Sequence, residues 1–163
     1  MRRIEGSKNP RLIECINPIH DIWAIRWDVS PSEYGDENVV SYMEERFNHK
    51  PSIEEIKNTV FGWYNAQIDE EILSGMTYEG HQVWLSTENQ FNYKTAYDLA
   101  VQTNGSTLPV TFKFGTDENP VYKEFTDLDS LTDFYLKAVS HVTSILSKGW
   151  ITKGKVDYNA YNI

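Results

Sequence analysis

The sequence has little cysteine, no long apolar run and few cations. Cys15 is the only cysteine among 163 residues, so no internal disulfide forms and a reducing compartment is expected. No stretch approaches the roughly 20 apolar residues of a membrane span, and no apolar segment follows the basic start "MRRIEGSKNP", so neither a membrane nor a signal peptide is expected. With 15 Lys and Arg against 24 Asp and Glu, the net charge of −9 disfavours nucleic acid as a partner.

Signatures of catalysis and of metal binding are also missing. The four histidines lack HxxxH and HExxH spacing, and no cysteine cluster supports a metal site. Cys15 and His20 lie near each other in sequence, but "ECIN" has neither a nucleophile elbow nor a helix start that would activate a thiol. Acidic pairs such as Asp127 and Asp129 lie at element boundaries, where carboxylates are common. The sequence therefore predicts no catalytic residue, no metal ligand and no cofactor.

Aromatic residues are abundant, with 5 Trp, 10 Tyr and 7 Phe, and they are dense in "TYEGHQVWLSTENQFNYKTAYDLA", residues 77–100. A stacking platform for single-stranded nucleic acid also needs cations, and this stretch has one Lys and no Arg. Packing is therefore favoured. We expect Phe91 and Leu99, with Trp84, to lie in a core, and Tyr78, Tyr93 and Tyr97 to form a protein-contact face. The wider core is expected to form one cluster that also contains Trp63, Leu131 and Tyr135.

Hydrophobic periodicity predicts an α+β fold: an N-terminal strand pair and helices, then a hairpin–helix–hairpin–helix unit. Residues 1–10 are expected to form an arm, residues 12–16 and 22–29 strands, and "NVVSYMEERFN" a short helix. A capping box in "SIEE", Ser52 with Glu55, predicts a helix that ends near Gly75. We divide the chain into residues 1–50, a domain over 51–149 and a polar tail over 150–163.

The second half should alternate between hairpins and helices. The dipeptide Glu79-Gly80 predicts a turn between two strands, and Thr87 with Gln90 predicts the cap of the next helix. Alternating apolar residues predict a second hairpin over residues 108–125. A last helix should follow and stop at Gly149.

Residues 52–148 contain a set of glycines and alanines, a tyrosine, an amide pair and a helix ending, namely Gly75, Tyr78, Gly80, Asn89-Gln90, Ala96, Ala100, Ala138 and His141-Val142. Through these motifs the segment resembles a small domain family found in tail-fibre and virion-assembly genes of tailed bacteriophages and prophages. Its sequence also resembles proteins from phages and prophages of gut Bacteroidales. Met76 replaces the usual aromatic residue. These motifs are structural, so the resemblance implies a fold and a genomic setting, without catalytic residues.

The resemblance implies a non-enzymatic virion protein of the tail, neck or fibre attachment, assembled in the bacterial host cytoplasm and docked on other virion proteins or on further copies of itself. A soluble tail-fibre assembly chaperone is the alternative within this class. A small hydrolase or lysis accessory is the alternative of another class, and it requires a pocket with converging histidines and carboxylates.

Candidate contact residues follow from the N-terminal segment. Arg2 and Arg3 contrast with the acidic body, and Trp23 and Trp27 share one face of a strand with Ile25. An exposed strand can extend the sheet of a partner. We therefore expect residues 1–30, or else the Tyr93 and Tyr97 face, to make the main contact. The alternative is that the strand pair only completes the chain's own sheet.

Overall fold

The computed structural model describes residues 1–32, 35 and 37–162 and has an α+β fold. Its chain forms two compact units, Met1–Trp63 with the C-terminal segment that begins at Lys155, and Tyr64–Gly154. Among the described residues, none of the helices is both long and apolar enough to cross a membrane.

A four-stranded antiparallel sheet forms most of the first unit. Its strands are β1 (Arg2–Ser7), β2 (Ile13–Asn17), β3 (Ile22–Pro31) and β4 (Val39–Phe47), in the spatial order β1-β4-β3-β2. The predicted strand pair is therefore present as β2 and β3.

Two predictions about this unit were wrong. The expected arm is strand β1, because its backbone pairs with β4 from Arg2 opposite Glu44 to Ser7 opposite Val39. The expected helix over residues 38–48 is strand β4. Val39, Met43 and Phe47 are spaced by four, and this spacing fits one face of a helix and one face of a strand equally well.

One sheet face of the first unit is covered by aromatic and aliphatic side chains. Trp27 is buried, and its ring meets that of Trp63 edge-on with the centroids 6.1 Å apart. Ile56 and Val60 are also buried, and their spacing places them on the same side as Trp63 of the helix that follows β4. The C-terminal segment, predicted to be a polar tail, instead forms a 3-10 helix at Tyr158–Tyr161.

Helix α1 (Ile53–Leu73) begins as the capping box predicts. The Ser52 N–H donates to Glu55 Oε2 at 2.8 Å, and the Glu55 N–H donates to Ser52 Oγ at 3.3 Å. The helix ends just before Gly75, whose φ of 78° is readily adopted only by glycine.

The second unit follows the predicted order, with β5 (Met76–Tyr78), β6 (His81–Val83), α2 (Thr87–Gln102), β7 (Val110–Gly115), β8 (Pro120–Phe125) and α3 (Leu128–Gly154). Glu79 and Gly80 both have positive φ, at 50° and 80°, as a tight hairpin turn requires. The cap of α2 is Ser86 rather than Thr87, because the Asn89 N–H donates to Ser86 Oγ at 3.2 Å. Helix α3 continues past Gly149.

The core of the second unit is aromatic and centres on Phe134. The ring centroid of Phe134 lies 5.0 Å from that of Tyr93, 5.1 Å from those of Tyr78 and Phe125, and 5.2 Å from that of Phe114. Leu131 belongs to this core, and Tyr135 packs against it.

Three residues expected in the core are exposed: Trp84 before α2, and Phe91 and Leu99 on the other stripe of α2. Trp84 is 43% exposed, Phe91 67% and Leu99 46%. Both stripes of α2 carry apolar groups, and contacts with distant residues such as Phe112 and Phe134 decide that the tyrosine stripe faces inward.

Candidate functional site

Strand β2 leaves one of its edges open. The Arg26 N–H donates to the Leu12 carbonyl at 2.8 Å, so Leu12 and Glu14 lie in the hydrogen-bonded positions opposite β3. Ile13 and Cys15 lie in the positions between, and their N–H and C=O groups point away from β3. Within the described part of the chain, these outward groups have no backbone hydrogen-bond partner.

A groove of about 630 Å³ runs beside this edge, lined by residues 11–15 of the strand and its approach, by Trp23, and by Ala160 and Asn162 of the C-terminal segment. We call it the β2-edge groove. The Trp23 indole is held from both sides, because its Nε1–H donates to Asp21 Oδ1 at 2.7 Å and the Lys50 ammonium lies 5.3 Å from its ring centroid. The groove thus combines unpaired backbone groups with an aromatic wall, as strand addition requires.

An ionic cluster fixes β2 to the rest of the sheet. The Arg26 guanidinium donates from Nη1 to Glu14 Oε2 at 2.8 Å and to the Arg11 carbonyl at 2.9 Å, and from Nε to Glu44 Oε2 at 3.1 Å. Arg2 and Arg46 donate to the other oxygen of Glu44, at 3.3 Å and 3.0 Å. The edge strand is therefore already ordered, so binding of a partner does not carry the entropy cost of ordering it.

The Glu44 carboxylate is the centre of this cluster, although the residue is only 3% exposed. Burial alone would raise its pKa, but hydrogen bonds from Arg46, Arg26 and Arg2 outweigh burial and lower the pKa of Glu44 below its ordinary value. Burial opposes the charge of Arg26 as well, and its bonds to Glu14 and Glu44 nevertheless raise the pKa of Arg26. Glu44 therefore stays ionised, and the charges of the cluster compensate one another.

Strand β1 forms the other edge of the sheet and carries Arg2 and Arg3. The Lys8 N–H donates to the Asn38 carbonyl at 2.9 Å, so Arg3, Glu5 and Ser7 have their backbone groups directed outward. Arg3 pairs with Asp28 through its side chain and donates to Ser41 Oγ at 3.3 Å. Both arginines are thus bound within the sheet and do not lie on a free arm.

The remaining predicted contact residues lie in different places. Trp27, Tyr78 and Tyr93 are 2%, 5% and 3% exposed, so none of the three has surface to offer a partner. The Tyr93 hydroxyl donates to the Trp84 carbonyl at 3.3 Å. Tyr97 is half-buried and stacks on Tyr135 with the ring centroids 4.4 Å apart. Of the predicted aromatic contacts, Trp23 is the one that lies beside the open strand edge.

Helices α2 and α3 carry a second, apolar groove of about 300 Å³, in the second unit. Its lining consists mainly of aromatic and aliphatic side chains, namely Thr87, Gln90, Phe91, Tyr93, Lys94, Tyr135, Ala138, Val139 and Val142. Phe91 and Val139 at its rim are exposed. The sequence had instead predicted that Phe91 lies in the core and that the Tyr93 and Tyr97 stripe of α2 forms the contact face.

Two of the groups considered for chemistry make structural hydrogen bonds. A ring nitrogen of His141 lies 3.1 Å from the Gly75 carbonyl, and Asp127 accepts from the Ser130 N–H at 2.8 Å at the start of α3. Cys15 is half-buried and is one of the residues that line the β2-edge groove. Across residues 1–32, 35 and 37–162, no group of three or more His, Cys, Asp or Glu could hold a metal ion.

The sequence points to part of the β2-edge groove. It places a strand over residues 12–16 and suggests strand addition, but it does not single out Ile13, Glu14 or Cys15. Their edge position depends on the strand order, which requires β4 to be a strand and to lie between β1 and β3. Comparison of this chain with protein-family models, curated proteins and solved structures gives no match.

Proposed function

We propose that this chain is a non-enzymatic docking module that accepts an extended strand of a partner along β2. The observation that carries the proposal is the β2-edge groove, along which Ile13 and Cys15 direct backbone groups that have no backbone partner among the described residues. Backbone hydrogen bonds would supply affinity, and side chains of the added strand would pack alternately on Trp23 and near Glu14.

The setting we propose is the virion of a tailed bacteriophage, where the chain is a tail, neck or fibre-attachment component. The support is the resemblance of residues 52–148 to a phage domain family, together with a surface suited to docking. A tail-fibre assembly chaperone would use the same edge and leave before the particle matures.

The test is mass spectrometry of particles purified from cells whose phage or prophage encodes the chain. A virion component should be present in mature particles at a fixed ratio to the major tail proteins. Presence in assembly intermediates alone would identify the chaperone. Absence from both would contradict the proposal.

A matched pair of variants tests the edge itself. Cys15→Pro removes an N–H that points outward and leaves the β2–β3 ladder intact, whereas Cys15→Ser keeps that N–H. We expect Cys15→Pro to reduce incorporation by roughly two- to tenfold for the one lost hydrogen bond, while Cys15→Ser incorporates normally. Equal incorporation of the two folded variants would show that docking occurs elsewhere.

A further inference from the structure

We propose that the strand added along β2 is β1 of a second copy of this chain, so that copies join head to tail through their sheets. This inference rests on the proposed function, because it names the occupant of the same groove. The strand directions, the hydrogen-bonding positions and the charges of the two open edges each support it.

The strand directions are compatible with this contact. The order is β1-β4-β3-β2 and every neighbouring pair is antiparallel, so β1 and β2 run in opposite directions. A second copy in the same orientation therefore brings its β1 antiparallel to β2. The joined sheets would continue without a change of pattern.

The hydrogen-bonding positions also match. Ile13 and Cys15 direct their backbone groups outward on β2, and Arg3 and Glu5 do so on β1. Placing Ile13 opposite Glu5 of the second copy puts Cys15 opposite Arg3 of that copy. Each of the two pairs can then exchange both of its backbone hydrogen bonds.

Charges alternate across the sheet and would continue alternating into the second copy. One charged residue from each strand forms the row, in the order Arg2, Glu44, Arg26 and Glu14, with neighbouring charged atoms 3.3, 3.1 and 2.8 Å apart. Arg26 reaches Glu14 diagonally, because Glu14 lies opposite Ala24. In the proposed register Glu14 lies opposite Ile4 of the second copy, so Arg2 of that copy lies on the other diagonal, beside Ile16 and within reach of the Glu14 carboxylate.

A second pair of opposite charges lies on the other face. Arg11 of one copy lies diagonal to Glu5 of the next in this register, within reach of long side chains. The contact is therefore locally attractive, although each chain has a net charge of −9. Because the two edges differ, the contact is heterologous and builds a ring or an open filament rather than a closed dimer.

The native Cys15 allows a direct test by disulfide trapping. Arg3→Cys places a thiol opposite Cys15 of the neighbouring copy, at the roughly 5.5 Å Cα separation of a hydrogen-bonded pair, which suits a disulfide. Each such chain has a cysteine at both edges, so mild oxidation should give a ladder of dimers, trimers and longer species. The control Ser7→Cys carries its thiol on the same strand away from Cys15, and it should give no ladder.

A charge exchange tests the register without cysteines. Glu5→Arg should weaken self-association of the full chain, measured by sedimentation, by roughly two- to fivefold. Adding Arg11→Glu to that variant should restore it. This pair decides the question if Arg3→Cys fails to fold by circular dichroism.

Three results would overturn head-to-tail pairing: no ladder from folded Arg3→Cys, Cys15–Cys15 dimers of the wild-type chain as the main oxidation product, or no rescue by Arg11→Glu. None of these results bears on incorporation into particles. If the chain is incorporated and Cys15→Pro lowers incorporation, the docking edge stands and its occupant is another protein.

Discussion

Individual aromatic residues of this chain have very different roles, and their burial separates them. Phe134 is fully buried among five aromatic rings, whereas Phe91 lies at the rim of the groove between α2 and α3. The sequence predicted that the aromatic stretch packs. It did not predict which stripe of α2 packs into the core, because Phe91 and Tyr93 are both large aromatic residues. Contacts with residues distant in sequence decide which of the two is buried.

Phe134→Ala should therefore be costly. The cavity left among these five rings should lower the free energy of unfolding by about 3–5 kcal/mol, as for other buried Phe truncations. Phe91→Ala is the matched control and should change it by less than about 0.5 kcal/mol, because its side chain is mostly solvated. Urea unfolding of both variants checks the assignment, and an equal loss of stability would refute the described packing of α2.

Glu44→Gln should also be strongly destabilising. It leaves Arg26 without its buried anionic partner, and breaking a buried ion pair costs about 3–5 kcal/mol. The exposed Glu124→Gln is the control.

The pKa of Glu44 lies below its ordinary value, so its contribution to stability is present above pH 4.5 and is lost as the pH falls further. The wild-type chain should thus lose stability in acid more steeply than Glu44→Gln; parallel pH profiles would contradict this.

At the scale of elements, the sequence predicted those features that depend on neighbouring residues. It did not predict the strands that depend on pairing with distant residues. The capping box of α1 and the Glu79-Gly80 turn depend on neighbouring residues, and both were predicted. Strand β1 has one large apolar residue, Ile4, and owes its existence to pairing with β4. Strand β4 has a spacing that fits helix and strand, so its sheet partners decide between them.

The α1 cap gives a prediction at this scale. Ser52→Ala removes a hydrogen-bond acceptor at the first turn and should lower the free energy of unfolding by about 0.5–2 kcal/mol. The control Ser140→Ala, at an exposed position within α3, should leave the free energy of unfolding unchanged. Hydrogen bonds from the Ser52 backbone and hydroxyl, and from His49, lower the pKa of Glu55 to about 2. The contribution of Glu55 is therefore present above pH 4.5 and is lost as the pH falls from 4.5 towards 2. Thermal unfolding across this range should show a weaker pH dependence in Ser52→Ala.

For the whole molecule, the significant feature is an open sheet with two different edges. Charged side chains on edge strands often prevent unwanted pairing. Here the charges of β1 and β2 are of complementary kind, and they can select one partner strand while disfavouring others. The sequence predicted attachment through residues 1–30, by an arm or by a strand pair, without choosing the strand edge. The candidate edge could not be located without the strand order, which depends on pairing across the whole N-terminal unit.

The most direct test of the docking account is the reactivity of Cys15 in assembled particles. The chain has no other cysteine, and Cys15 is one of the residues that line the β2-edge groove. Iodoacetamide is applied to native particles and to the free chain, and an isotopically heavy reagent follows after denaturation. Mass spectrometry of the peptide containing Cys15 then gives the protected fraction. Docking along β2 predicts a thiol that reacts in the free chain and is protected in the particle, whereas equal reactivity in both would contradict it.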